Sequence, residues 1–175
     1  RLIAMHSTVG KPKTQILAQR LLDINPRLNI HIKQLYMDEV QTEILLDEAK
    51  YDYVIDAIDT ISPKIALLTG CLKRKIKVIS SMGAGGRIDP TRIAYADISE
   101  TYHCALAKAV RKRLKDAGIS KGIKVVFSSE QPDRNAIIRT DEERNKKSTV
   151  GTISYLPAIF GCYLAAYVIR KLSQK

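Results

Sequence analysis

The sequence predicts an α/β protein, a mostly parallel sheet with helices on both faces. Two observations carry this. Short strand-like runs alternate with helical stretches along most of the chain, the pattern of parallel strands joined by helical crossovers. One stretch, Tyr51-Asp52-Tyr53-Val54-Ile55-Asp56-Ala57-Ile58-Asp59-Thr60-Ile61-Ser62-Pro63-Lys64, reads as a strand, a turn and a helix in one run. Its apolar part (Val54, Ile55, Ile58) ends in two carboxylates, and Ser62-Pro63 supplies an N-cap and a first-turn proline. Ligands of open α/β sheets bind outside the carboxyl ends of the strands, which is where Asp56 and Asp59 stand. With Ser62 available to cap the helix, Asp59 has two readings. It closes the strand exit as an Asx-turn, or it holds Mg²⁺ or orients a nucleotide phosphate, since a hard cation prefers one or two carboxylates plus phosphate oxygens. Asp56 favours the Asx-turn.

The other elements follow in order. Arg1 to Val9 has no period; Gly10-Lys11-Pro12 then announces a helix with Leu17, Leu21 and Ile24 on one face, ended by Asn25-Pro26. Leu28 to Leu35 alternates as a strand, with Ile30 and Ile32 against His31 and Lys33, and Asp38 caps a short helix carrying Val40 and Ile44. The helix after Pro63 turns Ile65, Leu68 and Leu72 inward and stops in Lys73-Arg74-Lys75, cations that suit the negative end of its dipole. Ile76 to Ser80 is the next strand. Gly83-Ala84-Gly85-Gly86 follows it without the helix that a dinucleotide fingerprint needs, so these glycines make a tight turn or permit close backbone approach to a ligand.

Ile93 to Ile98 reads as a further strand. Beyond it Leu106, Val110, Leu114 and Ala117 share one helical face, while Lys108, Arg111, Lys112 and Lys115 form a basic stripe on the other. The stripe is either a solvated surface or a contact for nucleic acid, with Lys121 and Lys124 just beyond. Val125 to Ser128 reads as an edge strand. Residues 131–147 are polar and charged (Arg134, Arg139, Arg144, Lys146, Lys147) and read as a mobile basic loop, a substrate clamp or a plain connection. Residues 154–172 form a C-terminal apolar helix, suited to burial and to packing on a second subunit.

Composition bounds the partners. The chain is long enough for one domain with a core, and its 45% hydrophobic content is that of a globular protein. A net charge of +11 raises the expectation of an anionic partner, nucleic acid first. Cys71, Cys104 and Cys162 lie far apart, with no Cys-x-x-Cys pair for zinc, and fit a reducing cytoplasm. The apolar run Tyr155 to Ile169, interrupted by Pro157 and Gly161, is too short to span a membrane. His6, His31 and His103 have no metal-ligand spacing. No leader opens the chain, and Arg1 in place of Met is read as the start of a piece of a longer polypeptide.

Several stretches together resemble one family, the ubiquitin-activating-like adenylating enzymes (ThiF, MoeB, HesA), and within it the tRNA threonylcarbamoyladenosine dehydratases. They are Tyr53-Val54-Ile55-Asp56-Ala57-Ile58-Asp59 with Pro63-Lys64, Gly83-Ala84-Gly85-Gly86-x-Ile88-Asp89-Pro90, Val110-Arg111-x-Arg113-Leu114, Val126-Phe127-Ser128-x-Glu130 and Pro157-Ala158-Ile159-Phe160-Gly161. The resemblance implies a Rossmann-like fold, the C-terminal portion of one ThiF/MoeB-like adenylating domain over residues 1–175. It implies ATP and Mg²⁺ as cofactors, tRNA as substrate, a homodimer, and a sulfur-mobilising cysteine desulfurase as a further partner. Asp59 resembles the aspartate that supports Mg²⁺-ATP, Lys13 the lysine that contacts the phosphates, and Arg1 the arginine beside the triphosphate. A carboxylate attacking the α-phosphorus of ATP needs its repulsion screened by such groups.

The departures matter too. The family's glycine-rich phosphate loop and ribose-binding acid have no counterpart here, and Lys146-Lys147-Ser148 stands where a cysteine is expected in the dehydratases. Cys104-Ala105-Leu106 replaces Asp-Pro-Leu. Absence of the paired zinc cysteines of the MoeB and ThiF branches favours the dehydratase branch. The implied function is ATP-dependent dehydration of threonylcarbamoyladenosine in tRNA through an acyl-adenylate. The alternatives are adenylation of the C-terminus of a ubiquitin-like sulfur carrier and a catalytically silent dimeric interaction module.

Overall fold

The computed structural model describes residues 3–143 and 146–174 and, of residues 134, 137–143 and 146–149, the backbone alone. The chain divides into two compact units, Arg1–Tyr36 and Met37–Lys175. The first unit contains one helix, α1 (Lys13–Ile24), which ends where Asn25-Pro26 cannot continue it. Of its residues only Ala18 is buried; Leu17, Leu21 and Ile24, the predicted inward face, are exposed. The predicted strand Leu28–Leu35 is irregular chain. Its alternation is right for a strand, but a strand needs a neighbour to bond, and this unit has no other among the described residues.

The second unit is built on four strands: β1 (Val54–Asp56), β2 (Val78–Ser81), β3 (Ile93–Asp97) and β4 (Lys124–Ser128). They lie in the order β1-β2-β4-β3. β1, β2 and β4 run parallel and β3 pairs antiparallel to β4, so the mostly parallel sheet is observed. Because the polypeptide returns to β4 after β3 has taken the edge, Val125 to Ser128 is an interior strand and not the predicted edge. Its burial agrees, with Val125, Val126, Phe127 and Ser128 all buried.

Helices cover both faces. On one side α3 (Ile61–Lys73) and α4 (Ala105–Asp116) bring Leu67, Leu68, Cys71, Ala107, Val110 and Leu114 against Val78, Val125 and Phe127. On the other, α5 (Tyr155–Ser173) sends Leu156, Phe160, Leu164 and Val168 onto Ile79, Ile93 and Val126. The alternation of Val78 and Ile79, and of Val125 and Val126, between the two clusters is the period-two rule of a strand buried on both faces. Ala117, predicted on the inner face of α4, is exposed because the helix has already ended at Asp116.

α2 (Glu39–Asp47) starts as predicted: the Asp38 carboxylate accepts from the Gln41 amide at 2.8 Å. Its buried residues are Thr42 and Leu46, whereas Val40 and Ile44 are 65% and 57% exposed. α2 lies close on α3, where a Cβ on Gly70 would stand 2.6 Å from Leu46 Cδ1. Arg74, at the end of α3, bonds Glu43 and Asp47 across that contact at 2.6 to 2.8 Å. That hydrogen bonding holds the Asp47 carboxyl below its usual range.

Residues 131–147, read as a loop, instead form most of a two-stranded antiparallel ribbon, β5 (Ile137–Glu143) and β6 (Lys146–Val150). Charge hid the strands, since this run of polar and charged residues shows no apolar alternation. Replacing Leu68, fully buried under the sheet, by Ala should cost about 2–5 kcal/mol in denaturant unfolding. Val40→Ala should stay within about 0.5 kcal/mol.

Candidate active site at the carboxyl end of the sheet

β1 and β2 run in parallel register with Asp56 opposite Ser80, so both side chains point to the α3 face at the sheet's carboxyl end. Lys64, in the first turns of α3, enters the same space. All three are fully buried. Lys64 Nζ donates to Asp56 Oδ2 at 2.5 Å, to Ser80 Oγ at 3.1 Å and to the Ser81 carbonyl at 3.0 Å, which engages every proton of the ammonium. The Ser80 hydroxyl donates to Asp56 Oδ2 at 2.5 Å, and Asp56 Oδ1 accepts the Ile58 amide at 3.0 Å. Burial pushes the Lys64 pKa down, opposed by the attraction and hydrogen bond of Asp56 and, further off, by the charge of Asp59. With no proton position left open, Lys64 is built as a cation that ties strand ends to a helix start.

Asp56 thus makes the predicted Asx-type bond to Ile58 and also carries an ion pair that the sequence reading did not assign. The signal for it was present. Lys64, Leu67, Leu68 and Cys71 occupy one helical stripe, and a lysine in that stripe has to be paired if it is buried. Ser62 does not cap α3. The helix begins at Ile61 with Thr60 as N-cap, and no side chain bonds the cap position, so Ser62-Pro63 lie inside the first turn. Asp59 stands immediately before that N-cap, exposed, with the Thr60 hydroxyl 3.5 Å from its Oδ1. The positive end of the helix dipole and the negative carboxylate are therefore adjacent at the exit of β1.

Across the sheet edge the glycine loop makes the predicted tight turn, and its close approach is to Val150 of the same chain. Gly86 has φ +70°, a turn conformation that favours glycine, and a Cβ on Gly85 would stand 2.9 Å from Val150. Arg87 is buried at 4% exposure and donates to four backbone carbonyls: Gly83 at 2.8 Å, Gly85 at 3.2 Å, Glu130 at 3.1 Å and His103 at 2.5 Å. The Glu130 carboxylate accepts the Ile88 and Asp89 amides in return. No local pattern marks Arg87, because its partners are main-chain atoms of three segments. The Cys104 sulfur accepts the Ala107 amide at 3.4 Å as N-cap of α4, a weaker acceptor in the place of an aspartate. Burial pushes the Cys71 thiol up to about 11, which removes it as a nucleophile.

Lys13 is the exposed first residue of α1 in the N-terminal unit. Arg1 lies outside the described residues. On α4, Lys108, Lys112 and Lys115 are exposed, whereas Arg111 is half-buried and its guanidinium donates to the Thr101 carbonyl at 2.8 Å and to its hydroxyl. An open depression along α2 is lined by Glu39, Glu43, Asp47 and Glu48 with Val40 and Ile44, a rim that repels phosphate. Among the described residues no three acidic, histidine or cysteine side chains gather into a metal cage, and no helix is long and apolar enough to cross a membrane.

A twisted, mostly parallel sheet flanked by helices, with an acidic turn at its carboxyl edge, defines a Rossmann-like α/β protein. The chain belongs to the ThiF family, whose model matches residues 1–175. It is 40% identical to the tRNA threonylcarbamoyladenosine dehydratase of Bacillus subtilis, over 98% of this chain and 70% of that protein. It is 32% identical to tRNA threonylcarbamoyladenosine dehydratase 2 of Saccharomyces cerevisiae, over 98% of this chain but only 42% of the yeast protein. The structure of Escherichia coli tRNA N6-threonylcarbamoyladenosine dehydratase, TcdA, in complex with ATP matches with a TM-score of 0.87 at 30% identity, covering 99% of this chain and 69% of that one. The same enzyme in complex with AMP matches with a TM-score of 0.83.

Removing one partner of the Asp56–Lys64 pair strands a buried charge. Asp56→Asn and Lys64→Met should each cost about 3–5 kcal/mol, and the double variant distinctly less than their sum, in a cycle of denaturant unfolding.

Proposed function

We propose that this chain carries the ATP-dependent dehydration of threonylcarbamoyladenosine in tRNA. The observation that supports it most is an exposed carboxylate, Asp59, at the exit of a central parallel strand, in a chain that matches an ATP-bound dehydratase over nearly its whole length. In this reading the carboxylate of the modified nucleoside attacks the α-phosphorus of ATP and pyrophosphate leaves. The acyl-adenylate is then attacked by a group of the same modification, the ring closes, and AMP departs with the carboxyl oxygen. Holding both reactants in one molecule makes the closure fast without a protein nucleophile. The buried thiols of Cys71 and Cys104 accord with that.

Asp59 suits Mg²⁺ in the manner of sites completed by substrate. It offers one exposed carboxylate, and the remaining ligands would be phosphate oxygens and water. Bound there, the ion would neutralise charge on the phosphates during adenylation. Lys13 and Arg1 are assigned to the triphosphate as cations. Lys108, Lys112 and Lys115 are assigned to the tRNA backbone, with Arg111 fixing the start of α4 through Thr101 more than reaching outward. The outward side of α5, where Cys162, Ile169 and Leu172 are exposed, is assigned to a second copy of the chain.

In the full-length protein Asp59→Asn should lower formation of the cyclised nucleoside on the order of 100-fold, measured by mass spectrometry of digested tRNA. Undiminished product would overturn the assignment. Pyrophosphate exchange stimulated by a ubiquitin-like sulfur carrier and not by tRNA would give the chain the other substrate class. Replacing Lys108, Lys112 and Lys115 together by Ala should weaken tRNA binding and flatten the plot of log affinity against log salt by about 2–3 units of slope. An unchanged slope would return the stripe to plain solvated surface.

A further inference from the structure

We propose that Lys64 is a positioning residue for Asp59, an inference that rests on the reading of Asp59 as the residue that supports Mg²⁺-ATP. The physical path is short and consists of buried, satisfied bonds. Lys64 Nζ is fixed by Ser80 Oγ and the Ser81 carbonyl at the end of β2, so its place is set by the sheet and not by the turn. From there it holds Asp56 Oδ2, which Ser80 also bonds. The other oxygen of the same carboxylate holds the Ile58 amide, the residue next to Asp59. Two residues further on, the Lys64 amide bonds the Thr60 carbonyl at 3.2 Å, closing the first turn of α3 from the other side. Asp59 is therefore bracketed: Ile58 on one flank and Thr60 on the other are both tied to Lys64, one through its ammonium and one through its main chain.

The bracket is needed because no side chain caps α3. An ordinary helix start is fixed by a Ser, Thr or Asp cap, and this one is fixed by a cation beneath the sheet edge. The same cation has an electrostatic consequence. Its charge and that of Asp59 attract each other across the turn. A neutral side chain at position 64 would lose both effects. An arginine would keep the charge but could not present three protons from one atom to three acceptors.

The test compares Lys64→Met, Ser80→Ala and Asp59→Asn in the full-length protein, each measurement normalised to the folded fraction by circular dichroism. Hydrogen exchange of the 57–60 amides and the affinity for Mg²⁺-ATP, measured by calorimetry, report on the turn without turnover. Lys64→Met should raise exchange in 57–60 at least tenfold while the amides of β4 stay protected, and should weaken Mg²⁺-ATP at least tenfold. Adding Asp59→Asn to Lys64→Met should bring little further loss, since the carboxylate is already misplaced. Ser80→Ala removes one bond of the cluster without stranding a charge and should give smaller changes of the same kind; it decides the matter if Lys64→Met does not fold. Native exchange and affinity in the folded variants, or losses that multiply in the double variant, would overturn the proposal. If Asp59→Asn alone leaves Mg²⁺-ATP affinity and cyclisation at the native level, the reading of Asp59 fails instead.

Discussion

A single buried ammonium decides the geometry of the sheet's carboxyl edge. Placing a charge where water cannot reach it is costly unless the charge is paired and every donor is met. Here the pairing is complete, with Asp56, Ser80 and the Ser81 carbonyl around Lys64 Nζ. The cost of burial is thereby converted into specificity of place. β1 is only three residues long and has little ladder of its own to hold its exit, so the cluster does what a longer strand would do by hydrogen bonding along its length. Remove the lysine and the strand end, the turn and the start of α3 lose their common anchor.

A second knot of different chemistry sits across the edge. Arg87 spreads its planar donors over main-chain carbonyls from three segments, while Glu130 collects amides of the same loop. The two knots divide the labour. One fixes an acid that faces outward, the other fixes backbone that follows β2. The residues with solvent in front of them, Asp59 above all, stand on supports whose own groups are fully bonded, which is how a site holds its shape before a substrate arrives.

Much of this was legible in the sequence, for physical reasons. β1, β2, β4 and α3 announce themselves because a strand buried on both faces is a run of branched residues and a helix on a sheet repeats its apolar stripe. The acid at the strand exit is visible for the same reason, since the end of an apolar run is easy to find. What could not be read depends on neighbours. Leu28–Leu35 has the alternation of a strand and no partner in its unit. The face of α1 that carries Leu17 and Leu21 is apolar and yet exposed. Ser62 has the chemistry of a cap and lies two residues too deep, because α3 starts at Ile61 with Thr60 as its N-cap. Lys64 falls on the apolar stripe of α3, while its partners Asp56 and Ser80 are brought to it only by the pairing of β1 with β2.

The glycine loop leaves one more consequence. Gly86 donates to the Gly151 carbonyl and accepts from the Asp133 amide, and Gly151 in turn bonds Ala136, so the two ends of the β5–β6 ribbon meet at one clasp. Both ends of the ribbon are thereby fixed to the backbone loop that follows β2. Because the bonds at that clasp join main-chain atoms, a change of side chains along the ribbon removes none of them.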